Sequence, residues 1–204
     1  MKFPLIRFHS FAQRLSAFVA VTVIVVFTAI MVVYYNYTKD ALLDSTIKRA
    51  QPLLESAALQ IAGKMNQVDV ALNNNIWKIK LSDYKDAKSL EEGLLSVEKN
   101  VLRSNSIIIG NGIGFIPNYI KGKGRWYFPY SSKDGDKIVA SIMDNADYDY
   151  FGMDWFLIPI RLNKDYWSEP YYDEGAGNTM MTTCVHLIRD DAGKPIGIFG
   201  ADVS

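Results

Sequence analysis

The 204-residue sequence predicts an α+β fold: a long amphipathic helix and a second helix, then an antiparallel sheet of about five strands, all preceded by one membrane-spanning helix. Three patterns carry that expectation. An uncharged apolar run lies near the N-terminus, helical periodicity continues to Arg103, and short β-type runs between turn residues fill the remainder.

The apolar run extends from Ala17 to Tyr35, 19 residues without a charge, and Leu15 and Ser16 bring it to the roughly 20 that cross a hydrocarbon core. It exceeds the roughly 7 to 15 apolar residues of a cleaved signal peptide, and no small-x-small cleavage site follows. Residues 15–37 are therefore expected to span a membrane. Lys2, Arg7 and Arg14 place residues 1–14 on the cytoplasmic side, with Tyr34, Tyr35 and Tyr37 at the far interface.

Beyond the span, Leu43, Ile47, Ala50, Leu54, Ala57 and Ile61 recur at helical spacing, and Met65, Val68 and Leu72 continue the stripe. Pro52 predicts either a kink or the start of a separate helix. The stripe suits a seam with a second copy, giving a homodimer, and equally suits packing on its own domain. A second helix is expected to start near Ser89, where Ser89 and Glu92 form an S-x-x-E box ahead of Leu90, Leu94, Val97 and Val101.

The expected strands are 107–116, 126–131, 138–143, 180–188 and 195–203. Asp134-Gly135 and Asp191-Ala192-Gly193 supply hairpin turns between neighbours. A short helix over 151–162, with Trp155, Ile158 and Leu162 on one face, interrupts them. Residues 38–103 thus form the helical part and 104–204 the sheet module.

The chain carries 22 basic and 22 acidic side chains. Because Lys2, Arg7, Arg14 and Lys39 precede the first acid, Asp40, the remainder is net acidic, which argues against nucleic acid as a partner. Cys184 is the only cysteine, so neither an internal disulfide nor a cysteine zinc cluster can form.

Gly110, Gly112 and Gly114 lack the spacing and following helix of a dinucleotide loop and read as strand glycines. His9 falls on the cytoplasmic side and His186 stands alone in a strand, so His186 reads as structural, with no metal site. Ser168 and Ser204 have no nucleophile-elbow context, and no catalytic residue or cofactor is expected.

The segment from Tyr148 to Asp173 carries nine aromatic residues and several acids, denser than a core stripe requires. Flat rings with polar edges beside carboxylates suit the wall of a pocket for a small solute, especially a cationic one. For Trp155 and Trp167 taken singly, core packing explains the residue equally well.

These residues resemble the double Cache family, the PAS-like sensor domains found outside the membrane in bacterial receptors. The resemblance rests on Asp154-Trp155-Phe156, W-S-E-P-Y-Y-D from Trp167 to Asp173, M-T-T from Met181 to Thr183, D-x-x-G-x-x-x-G from Asp190 to Gly197, and Gly200 to Ser204. It is greatest for sensors joined to PP2C-type serine phosphatases or histidine kinases, with related modules in chemoreceptors and diguanylate cyclases. It implies a PAS-like sheet and a small organic ligand held between that sheet and the aromatic segment. It also implies a site of Tyr148, Trp155, Phe156, Tyr171, Asp173 and Asp202. The arginine that grips a ligand carboxylate in amino-acid-binding members falls on Met153, so the resemblance leaves the amine-facing acids without their carboxylate partner.

Taken together, the chain is expected to be the extracytoplasmic input part of an inner-membrane receptor. It would lack the membrane-proximal module and the output domain that such proteins continue into. A membrane-anchored periplasmic scaffold that binds a protein partner is the alternative.

Overall fold

The computed structural model describes residues 10–175 and 177–204; the expectations resting on Lys2, Arg7 and His9 lie outside them. Helix α1 (Phe11–Ile76) runs 66 residues without interruption, so no separate helix begins at Pro52. Proline removes one backbone donor there, and water can satisfy the freed carbonyl because the surrounding residues are exposed. α1 is long and apolar enough in its N-terminal part to cross a membrane.

Contacts divide the chain into Met1–Leu59 and Gln60–Ser204. In the first unit, Leu43, Ile47 and Leu54 are exposed, as is Ile61 at the start of the second. Only Val68, Ala71 and Leu72 of α1 are buried.

Helix α2 (Ala87–Ser104) follows a short 3-10 turn. Its N-cap is Asp86, whose carboxylate accepts from the Ser89 amide at 2.8 Å while Ser89 Oγ accepts from the Asp86 amide at 3.1 Å. The box therefore sits three residues earlier than the S-x-x-E spacing suggested, with Ser89 as its closing member rather than its cap. That start leaves Leu90, Leu94, Val97, Val101 and Leu102 on the buried face.

Seven strands build the sheet: β1 (Gly110–Phe115), β2 (Phe128–Asp134), β3 (Lys137–Met143), β4 (Tyr166–Trp167), β5 (Tyr171–Tyr172), β6 (Met180–Arg189) and β7 (Pro195–Val203). The order is β3-β2-β1-β7-β6-β4, with β5 also on β6, and every pairing is antiparallel. The expected five strands are β1, β2, β3, β6 and β7, joined as expected at Asp134-Gly135 and Asp191 to Gly193. β4 and β5 are additions of two residues each.

Alternation along the strands creates two unlike layers. Ile113, Phe115, Cys184, Phe199 and Ala201 pack with Leu72, Leu94, Val101 and Leu102 of the helices. Phe128, Tyr130, Val185, Leu187 and Ile198 pack on the opposite face with Tyr148, Tyr150, Trp155 and Phe156. Full burial of each aliphatic side chain contributes about 1.5–3 kcal/mol.

The segment covering this second face starts with two 3-10 turns, Ala146–Tyr148 and Tyr150–Gly152, and continues as helix α3 (Asp154–Leu162). Its buried side is Trp155, Phe156 and Pro159, whereas Leu162 is exposed. The expected face of Trp155, Ile158 and Leu162 is thus rotated. Tyr150 fixes the segment: its hydroxyl donates to the Phe115 carbonyl at 2.8 Å and accepts from the Tyr127 amide at 3.2 Å.

Candidate functional site

A cavity lies between the sheet and the segment that carries Tyr148 and α3. Gly112 of β1, Phe128 and Tyr130 of β2, Thr183 of β6, and Ile198, Gly200 and Asp202 of β7 form its floor. Tyr148, Trp155, Tyr171, Asp173 and Met181 close its sides.

The glycines explain how so many rings fit over one sheet. A Cβ on Gly110 would collide with the Tyr130 hydroxyl, and one on Gly112 would lie 2.6 Å from the Phe128 ring. β1 therefore presents bare backbone where the aromatic side chains cross it, a constraint of close approach.

Two carboxylates anchor the polar network. Asp202 accepts from the Tyr130 hydroxyl at 3.0 Å and from Thr183 Oγ1 at 2.7 Å. With the Thr183 proton committed to Asp202, Tyr171 is the donor in the 2.8 Å contact between their hydroxyls. Asp173 accepts from the Tyr148 hydroxyl at 2.7 Å and from the Gly177 amide.

Burial pushes the Asp202 carboxyl up to about 7, the hydroxyls of Thr183 and Tyr130 oppose that rise, and the charge of Asp173 adds to it. Burial and the same acids hold the Tyr130 and Tyr148 phenols above their ordinary range. Both tyrosines therefore remain donors. Trp155 Nε1 is buried and has no hydrogen-bond partner among the described residues, which makes it a further donor at this cavity.

Of the residues singled out from the sequence, Tyr148, Trp155, Tyr171, Asp173 and Asp202 line this one cavity. Phe156 is buried behind it, with its ring edge-on to Trp155 at 6.2 Å. Met153 is half-buried against the same cluster and does not line the cavity. Tyr130, Phe128, Gly112, Ile198 and Gly200 also line it and were not singled out as ligand-facing. Tyr130 is the consequential omission, since it holds Asp202.

The space enclosed is about 10 Å³, roughly what one water needs. A solute of several heavy atoms enters only if side chains move, with Met181 and Tyr171 at the rim formed by β5 and β6. A roomier cleft of about 480 Å³ beside Trp77, Tyr119 and Asp190 is an open surface groove with no buried polar side chain lining it.

His186, which the sequence left as a lone strand histidine, lies away from this cavity. It is buried on the helix-facing side of β6, with Nε2 2.8 Å from Asp69 Oδ1 and Nδ1 3.5 Å from Asp165 Oδ2.

Comparison with known proteins agrees with this architecture. Residues 94–204 match the family described as methyl-accepting chemotaxis protein-like, first PDC sensor domain. The extracellular domain of the inferred histidine kinase soHK1S-Z6 is 27% identical with a TM-score of 0.59, the match covering 70% of this chain and 56% of that one. Methyl-accepting chemotaxis protein X is 20% identical with a TM-score of 0.63, over 78% and 62% of the two chains. The ligand-binding domain of the Campylobacter jejuni chemoreceptor Tlp3, in complex with L-norvaline, is 20% identical with a TM-score of 0.60, over 78% and 59%. The chain thus spans less than two thirds of each of these structures. No curated protein sequence matches it significantly. The chain belongs to the methyl-accepting chemotaxis protein-like first PDC sensor domains, the Cache-like extracellular sensor modules of chemoreceptors and histidine kinases.

Proposed function

We propose that this domain senses a small organic solute carrying a cationic amine, bound in the cavity between β7, β6 and the Tyr148–Trp155 segment. The observation that carries this reading is the convergence of Asp202 and Asp173 on one buried space. Burial, with the charge of Asp173 adding to it, raises the Asp202 carboxyl, and an ammonium group placed between the two acids favours their ionised forms. The phenols and the Trp155 indole supply flat walls of the kind that attract a cation.

Tlp3 structures hold L-norvaline, L-valine and isoleucine, so the fold accepts amino-acid ligands. Met153 occupies the place that the resemblance gives to a carboxylate-binding arginine and does not reach the cavity, and no arginine among the described residues lines it, which favours amines that lack a carboxylate. Because the space is nearly closed, binding must open it, and the ligand must favour one of two arrangements to generate a signal.

In this reading residues 15–37 anchor the domain in the inner membrane, with residues 1–14 cytoplasmic. Residues 38–103 carry the stalk helix and α2, and 104–204 are the membrane-distal module of a double Cache receptor. A homodimer forms through the exposed stripe on α1. The output is a histidine kinase, PP2C-type phosphatase, chemoreceptor or diguanylate cyclase.

Calorimetric titration of the chain with amines, amino acids and carboxylates tests the proposal. An amine should bind saturably, and Asp202→Asn or Asp173→Asn should weaken it at least about 100-fold, since either leaves a buried charge unpaired. No heat from any member of the panel, or equal affinity in both variants, would retire the assignment in favour of a scaffold that recognises a protein.

A further inference from the structure

The opposite face of β6 carries a second cluster, unrelated to the cavity. Cys184 and His186 are two residues apart and so project to the same side, while Thr183 between the cavity and the sheet projects to the other. β4 pairs with β6 so that Tyr166 faces Val185, which brings Asp165 alongside His186. Asp69 arrives from the last turns of α1, next to the buried Val68. Nothing in the sequence links these positions, since Asp69 and His186 are 117 residues apart.

Asp69, Cys184 and His186 each direct one donor atom into a common space, all within 4.8 Å of one another. Cys184 and His186 are 1% and 3% exposed, so two of the three donors are buried, while Asp69 opens toward solvent. We propose that Asp69, Cys184 and the Nε2 atom of His186 form a binding site for a soft divalent cation of the zinc type.

Three features support this choice. Nitrogen, sulfur and carboxylate oxygen are the donors that zinc takes, and three protein ligands leave its fourth position for water. His186 Nδ1 faces the Asp165 carboxylate at 3.5 Å, and Asp165 is itself held by the Leu187 amide at 2.9 Å. A carboxylate beside Nδ1 is the partner that a metal-bound histidine uses when Nε2 is its ligand. Nε2 and the Asp69 carboxylate already meet at 2.8 Å, so a cation there would take the place of the proton that Nε2 shares with Asp69.

Metal ligands about 2.0 Å from a common centre lie roughly 3.3 Å apart in a tetrahedron, so the 2.8 Å contact of Asp69 with His186 would open by about half an ångström while the wider separations in the group, up to 4.8 Å, would close. Binding exchanges the thiol proton for the cation: the metal–sulfur bond forms as the sulfur–hydrogen bond breaks and the proton leaves to solvent. A bound cation would staple the end of α1 to the strand whose other face floors the cavity.

Cobalt(II) is the probe. The full chain in detergent should bind one equivalent and develop a thiolate-to-cobalt charge-transfer band in the near ultraviolet, which zinc then bleaches. Cys184→Ser should abolish the band, and Asp69→Asn, at an exposed position that does not threaten folding, should weaken zinc binding at least about tenfold. Asp165→Asn should weaken it about 10- to 100-fold through the orientation of His186. Absence of the band in the folded chain, or unchanged zinc affinity in Asp69→Asn, would overturn the site and leave His186 held by the two carboxylates alone. Neither result bears on amine binding in the cavity.

Discussion

On the helix-facing side of the sheet, Glu98 is fully buried among Leu94, Val101 and Ile113, with one oxygen accepting from Ser131 Oγ at 2.7 Å and the other unpartnered among the described residues. On the opposite side, Asp202 is buried among tyrosines and Thr183, and both of its oxygens accept a hydrogen bond. Burial raises both acids, Glu98 to about 8 and Asp202 to about 7. Their surroundings nevertheless differ in kind. Glu98 has the Ser131 hydroxyl as its side-chain donor among aliphatic neighbours, whereas Asp202 is ringed by oriented donors. In the proposed reading the first environment belongs to the packed core and the second to recognition.

The largest effect that can break this division is in the aliphatic layer. Leu94 is fully buried between α2 and the sheet, so Leu94→Ala should cost about 2–5 kcal/mol through lost transfer energy and a residual cavity. Chemical denaturation measures it. A loss below about 1 kcal/mol would mean that the helix-facing layer is not the seat of stability.

Glu98 comes next, and its sign is fixed by linkage. The folded state holds a proton that the unfolded state releases, so the contribution is fully present below the ordinary carboxylate range and is lost as pH rises through about 8. Asp202 acts in the same direction up to about 7. Between pH 7 and 8 the decline belongs mainly to Glu98. Glu98→Gln, which keeps the shape and a donor but cannot ionise, should flatten the decline and stabilise the protein by about 2 kcal/mol at pH 9 relative to pH 5. Thermal melts at the two pH values decide this, and parallel curves for both proteins would place the titrating group elsewhere.

How much of this was legible in the sequence follows from the range of each signal. Alternation over several residues located β1, β2, β3, β6 and β7, and the aspartate-glycine turns joined them. β4 and β5 have two residues each and no period to detect; they exist because β6 extends far enough to pair with them. For α2 the S-x-x-E spacing pointed to Ser89 as the cap, and only the observed pairing of Asp86 with Ser89 moves the start three residues earlier. Tyr130 lay in a recognised strand, yet which face it takes depends on where β2 sits relative to β1 and β7. The Asp69–His186 contact is a property of the packed helix and sheet, invisible to any local pattern.

The smallest effect sharpens the comparison most. Tyr130→Phe deletes one of two donors to Asp202 while leaving the ring packed at a tilt against Phe128, whose centroid lies 5.8 Å away. A hydrogen bond to the ionised acid favours ionisation, so its loss should move the Asp202 carboxyl above about 7. At pH 5, where Asp202 is protonated in both proteins, stability should fall by no more than about 1 kcal/mol. Carboxyl NMR titration reads the shift without any ligand. The pH at which an amine begins to bind should rise with it, because a cation requires the ionised acid. An Asp202 titration unmoved by the deletion would mean that Tyr130 only fills space, and the recognition face would then be as passive toward its acid as the aliphatic face is toward Glu98.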